Sequence, residues 1–578
     1  MKFRPLKKFP ILILAVSAFL APSVQAQDKP ALPTPPEVWK DYNPDAGDFK
    51  EEIISEETKD GVYYKDSYIS AYVNGEEIRV FCKYGVKAGS TNAPGLMNVH
   101  GWFAPTRLDP DFINDGWAVM AHDYCGKKDD RPQYTKYPEA LKYGNMPLPG
   151  IYSKLPDGQQ VTDPKQTTLY LWYAMERRVL SYLLAQKEVD KTRIGAKGYS
   201  FGGTIIWNLA MDPRVKAVVA FFGCGWLDYY RDRGVHMYKM PYVEPPKTSG
   251  EELVLSAITP EAHAPYIKAA TLWLNGSNDH HGGHERGERN FKKFQSDVPW
   301  SFAHQARAAH DTSKLGKDCK LWLEKYVLGK DIAWPARPAS EIKLDAAGVP
   351  EIVVKPDSVD RVEIVSVYYA LKEPNNIARF WLDAKAEKQG DTWVAKLPVK
   401  NVDDYVFSFA NIRYQGDIVL SSDFTAAIPS KLGKAVATRV DSPDGSDSWS
   451  DVAPVEGVGG IKGLRPLNNN SGTICRQFDE PQRKATENSV MEFRFYCTQP
   501  QTVIMSVNDN FSSEIEITAS NDWQTLLIRP EQFRLGGTGP ATIGGFDLVK
   551  SIALKPKNGS DITKMFFADI KWKTPSKP

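Results

Sequence analysis

The chain has 578 residues, of which 42% are hydrophobic and 25% are charged, as in an ordinary globular protein. This composition excludes a disordered chain, a collagen-like repeat and a polytopic membrane protein. Lys and Arg number 72 and Asp and Glu number 71, so no charge excess points to nucleic acid or to an anionic membrane surface. At roughly 100–200 residues per domain, the length allows three or four domains.

Residues 1–26 have the pattern of a secretory signal peptide. The basic segment MKFRPLKK precedes the apolar run FPILILAVSAFLAP, and small residues in Val24-Gln25-Ala26 precede an expected cut before Gln27. The apolar run is too short to span a bilayer, and no later apolar run is long enough to do so. Because no cysteine lies near the expected cut, the sequence does not indicate a lipoprotein. A membrane anchor is the alternative. We expect a periplasmic or secreted protein with no membrane span after cleavage.

Residues 61–333 are predicted to form an α/β domain behind an N-terminal arm at 27–60. Two strands flanking Asn74-Gly75 form a predicted hairpin. A helix is predicted over 163–186, with Asp163 as N-cap and Pro164 at its first position, and another over 311–329. The runs TRIGAKG, VKAVVAFFG and ATLWLNG are short apolar strands, typical of a sheet buried on both faces. Alternating strands and helices predict a mostly parallel sheet.

Beyond the linker at 333–340 the hydrophobic period changes to two, which predicts two all-β sandwich domains. The first is a small β-sandwich over 341–438. After a polar linker at 441–450, a jelly-roll-like sandwich is expected over 446–576, as a possible carbohydrate-binding module or as a packing domain.

The six cysteines allow either a disulfide or free thiols. None forms a CxxC pair, so a zinc ribbon or thioredoxin-like site has no support. Cys475 and Cys497 are the most plausible disulfide, and two buried free thiols are an equally good interpretation.

Ser200 is the predicted nucleophile. It lies in Gly198-Tyr199-Ser200-Phe201-Gly202-Gly203, between a predicted strand and a predicted helix. Glycines at 198, 202 and 203 allow the close backbone approach of a nucleophile elbow, which exposes the serine hydroxyl at the tip of a tight turn. The Phe201 N–H, at the start of the helix, is the expected first oxyanion donor. A plain glycine-rich turn is the alternative.

Asp279 and His310 are the predicted acid and base, because the elbow topology has the chain order serine, acid, histidine. Asp279 follows the buried strand ATLWLNG, and His310 follows the predicted strand WSFAHQAR. Both positions lie at the carboxyl edge of the sheet, where Ser200 also emerges. The rivals are His304, inside that strand, as base and Asp228 as acid.

The remaining histidines suggest a site rim. A turn at His100-Gly101-Trp102 follows an early strand, so the Trp102 N–H is the expected second oxyanion donor, and a histidine that caps the strand is the alternative. His280 and His284 could bind a metal on a helix face, but without a HExxH pattern we favour a polar rim. We expect no metal and no cofactor.

These residues together resemble the α/β-hydrolase superfamily, in the branch of dienelactone hydrolases, acetyl xylan esterases and prolyl-oligopeptidase-type enzymes. The segments NVHGW, RRVLSYLLAQKEVDKTRIGAKGYSFGG, MDPRVKAVVAFFG and LNGSNDHHG carry the resemblance. NGSNDHHG and YVLGKDIAWPARP are similar to secreted bacterial hydrolases of the PhoPQ-activated pathogenicity-related type. The resemblance implies an α/β-hydrolase fold with Ser200, Asp279 and His310 as nucleophile, acid and base.

The resulting function hypothesis is a secreted serine esterase or deacetylase that acts on decorated polysaccharide or a related small ester. A peptidase or amidase with the same triad is the first alternative, and a non-catalytic carbohydrate-binding surface protein is the second. Glucuronoyl esterases carry Arg and Lys around the elbow serine, where this chain has Phe201 and Gly203, which argues against that ester class.

The signal peptide is directly testable. We expect the exported protein to begin at or near Gln27, since small residues precede that position. N-terminal sequencing of the exported protein, produced in a bacterial host that secretes it, identifies its first residue. An intact Met1 in a membrane fraction would contradict it.

Overall fold

The computed structural model describes residues 31–574 except 129–130, 147–150, 225–245, 316, 375, 440–447, 479–482, 509 and 569. The predicted signal peptide and the rival acid Asp228 lie outside the described residues. The described helices are α1 (Pro35–Trp39), α2 (Pro110–Asn114), α3 (Thr168–Leu184), α4 (Phe201–Leu209), α5 (Ser249–Ala257), α6 (Pro260–His263), α7 (His284–Phe291), α8 (Asp318–Tyr326) and α9 (Pro429–Leu432). None of these helices is long and apolar enough to cross a membrane.

A nine-stranded, mostly parallel sheet forms the N-terminal unit (residues 52–326). Its strands are β1 (Glu52–Lys59), β2 (Val62–Val73), β3 (Glu76–Lys87), β4 (Ala93–Val99), β5 (Ala118–His122), β6 (Val189–Tyr199), β7 (Ala217–Phe221), β8 (Ala270–Gly276) and β9 (Trp300–Gln305). They lie in the order β1-β2-β3-β5-β4-β6-β7-β8-β9, antiparallel up to β5 and parallel from β5 to β9. The predicted mostly parallel sheet is therefore confirmed.

The strand order places the carboxyl ends of the central strands side by side. Strands β4 and β6 are neighbours, and β7, β8 and β9 follow in order. The strands β5 and β7 are buried along their whole length. In open sheets of this kind, ligands bind beyond the carboxyl ends of the strands, where the strand order changes direction. The loops after β4, β6, β8 and β9 carry the predicted site residues.

Several local predictions are refined by the structure. Asn74 and Gly75 both have positive φ, 53° and 83°, as the hairpin turn requires. The predicted helix at 163–186 begins later: Asp163 caps a separate 3-10 turn, Pro164–Gln166. Thr167 is extended, with ψ 149°, and its hydroxyl accepts the Tyr170 N–H, so α3 starts at Thr168.

Other element boundaries also move. The predicted arm at 27–60 contains α1 and the edge strand β1, so its last residues belong to the sheet. The predicted helix at 311–329 shortens to α8, because the Asp311 carboxylate accepts the Ser313 N–H and holds a turn in front of it.

A middle unit (residues 339–432) contains two antiparallel sheets. The first has the order β10-β11-β15-β14 and the second β13-β12-β16-β17, with β18 paired to β16. The strands are β10 (Ala339–Leu344), β11 (Pro350–Lys355), β12 (Val362–Leu371), β13 (Leu382–Ala384), β14 (Ala386–Gln389), β15 (Thr392–Lys396), β16 (Val406–Tyr414), β17 (Ile418–Ser421) and β18 (Thr425–Ala427). Ile352 and Val354 from the first sheet share one core with Val367 and Ile412 from the second.

A C-terminal unit (residues 452–573) has two further antiparallel sheets. Their orders are β19-β20-β28-β22-β25, with β29 paired to β22, and β21-β27-β23-β24-β26. The strands are β19 (Val452–Glu456), β20 (Lys462–Pro466), β21 (Thr473–Cys475), β22 (Val490–Cys497), β23 (Gln501–Val507), β24 (Phe511–Ile517), β25 (Gln524–Ile528), β26 (Arg534–Leu535), β27 (Ile552–Pro556), β28 (Met565–Phe567) and β29 (Lys571–Lys573). Cys475 and Cys497 lie in different sheets, and none of the six cysteines, all of which the structure describes, is in a disulfide bond.

The middle unit covers the edge of the nine-stranded sheet. At edge strand β9, the Ser421 hydroxyl accepts the His304 N–H at 2.8 Å, and the Asn411 amide donates to the His304 carbonyl at 2.9 Å. A buried ion pair joins Arg379 of the middle unit to Glu285 of α7 at 2.6 Å, with side-chain exposures of 0% and 3%. Polar groups at an uncovered edge would otherwise invite pairing with another chain.

We expect Arg379→Met to lower the free energy of unfolding by about 3–5 kcal/mol, because it leaves the Glu285 carboxylate buried without its counter-charge. Urea unfolding followed by fluorescence measures the change. Lys385→Met is the matched control: it removes the Lys385–Glu387 pair of the same unit, whose side chains are 87% and 63% exposed. Its cost should be below about 1 kcal/mol. Equal costs for the two variants would contradict the prediction.

Candidate active site

The turn at Ser200 has the backbone of a strained elbow. Ser200 lies between β6 and α4 with φ 56° and ψ −119°, a conformation that non-glycine residues rarely adopt. Its N–H donates to the Phe221 carbonyl at 2.9 Å, which ties the turn to the end of β7. Such strain persists only where the surrounding structure enforces it, and it is concentrated at functional sites.

The three predicted elbow glycines are each required by close backbone contacts. A Cβ on Gly198 would lie 2.3 Å from the Gly202 carbonyl oxygen, and one on Gly202 would lie 2.4 Å from the His100 oxygen. A Cβ on Gly203 would lie 2.5 Å from the Phe221 oxygen. No side chain fits at these distances, so the sharp turn and the packing of α4 against β4 and β7 depend on glycine.

The two predicted oxyanion donors lie together beside Ser200. Phe201 is the first residue of α4, where the helix N–H groups have no partner within the helix. The ring of Trp102 stacks on the Phe201 ring, with centroids 4.8 Å apart. Gly101 contacts the serine directly, since its Cβ position would be 3.1 Å from the Ser200 Cβ. The donor roles of Trp102 and Phe201 stay predictions.

Asp279 and His310 form a direct hydrogen bond. The Asp279 Oδ2 and the His310 Nδ1 are 2.5 Å apart, and Asp279 is fully buried whereas the His310 side chain is 30% exposed. The other carboxylate oxygen accepts the N–H groups of His281 and Gly282, each at 2.6 Å. A carboxylate at Nδ1 favours the tautomer with its proton on that nitrogen, which leaves Nε2 as an acceptor.

Phe221 and Phe222 connect the serine to this pair. Phe221 accepts the Ser200 N–H, and the ring of Phe222 stacks on the His310 ring with centroids 3.9 Å apart. Within the described part of the chain, no hydrogen bond joins the Ser200 hydroxyl to His310. In structures without substrate, this type of contact is often long and shortens only in the complex.

The rival base His304 is enclosed in the fold. Its ring lies against His284, with centroids 3.5 Å apart, and against Trp273 and Phe409. Burial holds the pKa values of His304 and His284 well below their ordinary value, so both rings are neutral near pH 7. The geometry therefore separates His304 from the Asp279–His310 pair.

The other histidines also take distinct places. His284 packs against His304, whereas the His280 ring lies 4.7 Å from that of His310, so the His280–His284 pair does not come together. Donor atoms of Asp279, His280 and His310 lie within 4.8 Å of one another, but Asp279 and His310 are already bonded to each other. The His100 Nδ1 lies 2.6 Å from the Gly101 carbonyl, so this ring is engaged at the turn before Trp102.

His281 links the acid loop to the elbow helix. Its Nε2 lies 2.9 Å from the Thr204 hydroxyl of α4. Burial lowers the pKa of His281 to about 3, so the ring is neutral near pH 7 and adds no charge beside Asp279.

Sequence reasoning missed a group of residues that fix the acid loop from the middle unit. The Asn376 amide donates to the Asp279 carbonyl at 2.7 Å, and the Asn278 amide donates to the carbonyls of Asn376 and Arg379 at 2.9 and 2.7 Å. Arg307, in the loop before His310, donates to the Trp381 carbonyl and to Asp383. No local pattern around residues 376–383 marks them as part of the site.

We expect Asn376→Ala to loosen the turn at Asp279, because it removes the buried hydrogen bond to the Asp279 carbonyl. Hydrogen–deuterium exchange should rise in peptides covering 276–283, and turnover of a small ester should fall about five- to tenfold. Ser422→Ala is the matched control, since it removes a buried hydrogen bond to the Ala410 N–H within the middle unit. An equal rise in exchange at 276–283 for both variants would overturn this prediction.

Comparison with known proteins finds one family match, which lies within the N-terminal unit. Residues 114–311 match the model of the dienelactone hydrolase family, and no curated protein matches the chain. An acetyl xylan esterase from Paenibacillus sp. is 19% identical over 49% of this chain and 90% of its own, with a TM-score of 0.39. Acetyl xylan esterase 1 from Thermoanaerobacterium sp. is 18% identical over 49% of this chain and 90% of its own, with a TM-score of 0.38. A putative dienelactone hydrolase from Klebsiella pneumoniae is 15% identical over 43% of this chain and 87% of its own, with a TM-score of 0.28. Over residues 114–311, a stretch that includes Ser200, Asp279 and His310, the chain is thus similar to the dienelactone hydrolase family.

Proposed function

We propose that this protein is a secreted serine hydrolase that cleaves carboxylic esters through an acyl-enzyme on Ser200. The observation that carries the proposal is the 2.5 Å hydrogen bond between Asp279 and His310, together with the strained backbone of Ser200 at φ 56°. The family match over residues 114–311 supports a hydrolase. A nucleophile, a base and a group that orients the base are the minimum set for activation of a serine hydroxyl.

In the proposed mechanism, His310 acts as general base and then as general acid. With its Nδ1 proton bonded to Asp279, the Nε2 takes the Ser200 proton while the serine oxygen attacks the ester carbonyl. The N–H groups of Phe201 and Trp102 stabilise the tetrahedral oxyanion. The proton passes to the leaving alcohol, and an acyl-serine remains. His310 then activates a water molecule, which releases the acid and restores the serine.

The buried Asp279 carboxylate supports the charge that develops on His310. Asp279 is fully enclosed and holds two backbone N–H groups, so it stays in place while the imidazole becomes positive. In such a low-dielectric site the attraction between carboxylate and imidazolium is stronger than in water. The neutral His281 adds no opposing positive charge.

The proposed substrates are acyl-decorated polysaccharides or related small esters. The predicted signal peptide at 1–26 supports action outside the cytoplasm. We also propose that the C-terminal unit, which contains two antiparallel sheets, is a sugar-binding module. Activity of the purified protein on p-nitrophenyl acetate and on acetylated polysaccharide tests this class directly.

Ser200→Ala should lower kcat for p-nitrophenyl acetate by about 10³-fold or more, and His310→Ala by a similar factor, because triad members act as one unit. A fluorophosphonate probe should label the wild type at Ser200 and fail to label Ser200→Ala. His304→Gln is the matched histidine control, because that ring is enclosed away from Asp279, and it should cost at most a few-fold.

Two results would contradict this assignment. Full activity of Ser200→Ala would remove the serine mechanism. An inactive His304→Gln beside a near wild-type His310→Ala would show that the base is wrong.

A further inference from the structure

A cleft of about 810 Å³ opens where the three units meet, and His310 lies on its wall. The N-terminal unit contributes the loop at 305–311, the middle unit contributes β12 and β16, and the C-terminal unit contributes a loop at 468–471. This volume falls within the range of pockets that enclose small organic ligands, about 300–1,000 Å³.

One face of the middle unit forms part of the lining of this cleft. Ile364, Ser366 and Tyr368 alternate along β12 and line the cleft, whereas the residues between them, such as Val367, point into the core. Ser366 lies opposite Asn411, and Ile364 lies opposite Arg413 on β16. The wall therefore combines hydroxyl and amide groups with the apolar surface of Ile364, which is 54% exposed, and the ring of Tyr368.

A turn of the C-terminal unit at 468–471 forms another part of the lining. The Asn468 side-chain oxygen accepts the N–H groups of Asn470 and Ser471 at 2.8 and 3.1 Å. This arrangement fixes the loop and leaves the side chains of Asn470 and Ser471 at the exposed surface of the cleft. An amide and a hydroxyl at this position can donate and accept hydrogen bonds but carry no charge.

The cleft is lined by equal numbers of basic and acidic residues, most of which already form ion pairs or hydrogen bonds with neighbouring side chains. Three basic and three acidic residues line the cleft. Arg307 is paired with Asp383 at 2.6 Å, Arg413 with Asp417, and Asp311 accepts the Gln305 amide at 2.8 Å. A lining of this kind favours neither an anion nor a cation. It suits a neutral ligand with many hydroxyl groups and apolar ring faces, which describes a neutral oligosaccharide.

We propose that this three-unit cleft binds a neutral oligosaccharide and presents its esterified sugar to His310. The inference rests on the proposed esterase function, which it deepens by assigning the residues that bind the sugar part of the ester and by requiring that sugar to be uncharged. Sugar hydroxyls bond Asn470, Ser471 and Ser366, and a sugar ring packs on Tyr368. His310 is one of the lining residues, with a side chain that is 30% exposed.

Binding is tested without turnover on the Ser200→Ala protein. Titration calorimetry with the hexaoses of β-1,4-xylose, β-1,4-glucose, β-1,4-mannose and β-1,3-glucose should show binding of at least one, with weaker binding of hexagalacturonate. Asn470→Ala/Ser471→Ala should then weaken the bound hexaose about tenfold, as expected for the loss of two neutral hydrogen bonds. The matched control Asn558→Ala, at an exposed turn outside the cleft, should leave affinity unchanged.

Turnover separates this inference from the proposed function. In the protein that retains Ser200, the KM for the acetylated form of that hexaose should be about tenfold higher for the double variant Asn470→Ala/Ser471→Ala than without these two substitutions. Its kcat/KM for p-nitrophenyl acetate should be unchanged. No binding by any neutral hexaose, or equal affinity of the double variant and Asn558→Ala, would overturn the cleft assignment while p-nitrophenyl acetate turnover still supports the esterase. Absence of turnover by the wild-type protein on every ester would instead overturn the proposed function.

Discussion

The position of Asp279 depends on hydrogen bonds that come from outside the nine-stranded sheet. Strand β8 brings the carboxylate to the carboxyl edge of the sheet. The turn that follows contains two buried polar groups, the Asp279 carbonyl and the Asn278 side-chain amide, whose hydrogen bonds come from the middle unit. Asn376 bonds the Asp279 carbonyl, and the Asn278 amide is held by carbonyls of the middle unit. A buried group of this kind left unbonded costs about 1–3 kcal/mol. The orientation of His310 by Asp279 is therefore a property of two packed units.

The ion pair between Arg379 and Glu285 has the same consequence. A buried ion pair adds little net stability, because removing two charges from water costs as much as their attraction returns. A shifted docking of the middle unit would leave Glu285 buried without a counter-charge, and this is strongly unfavourable. The pair thus selects one docked arrangement, in which Arg379 also offers its carbonyl to the Asn278 amide.

The sequence was most informative where the structure is determined locally. The elbow at Ser200 was predictable because its tight turn requires glycines at fixed offsets, and each of them lies against backbone. Asp279 and His310 were predictable from their places after strands, and the structure brings them together. The start of α3 was misjudged because two capping residues, Asp163 and Thr167, stand four positions apart, and only the second caps the α-helix.

Contacts between distant segments could not be predicted in this way. Asn278 and Arg379 are 101 positions apart, and neither lies in a pattern that implies the other. Likewise, WSFAHQAR was readable as a strand, but nothing in it shows that Ser421 and Asn411 would bond the edge at His304. Such pairs follow from how units pack, which depends on complementary shape and polar satisfaction across the whole interface.

The middle unit contributes both to the three-unit cleft and to the turn that holds Asp279. Along β12, one set of side chains fills the core while the alternate set faces the three-unit cleft, so a shift of this strand would move both. The same unit holds the Asp279 turn. Because both tasks belong to the middle unit, a change that displaces this unit alters the orientation of His310 and the shape of the cleft together. The loop at 468–471 belongs to another unit and lines the cleft, and the hydrogen bonds that the Asn468 side chain accepts from Asn470 and Ser471 are made within the loop itself, so its proposed ligand contacts are separable from the alignment of the proposed triad.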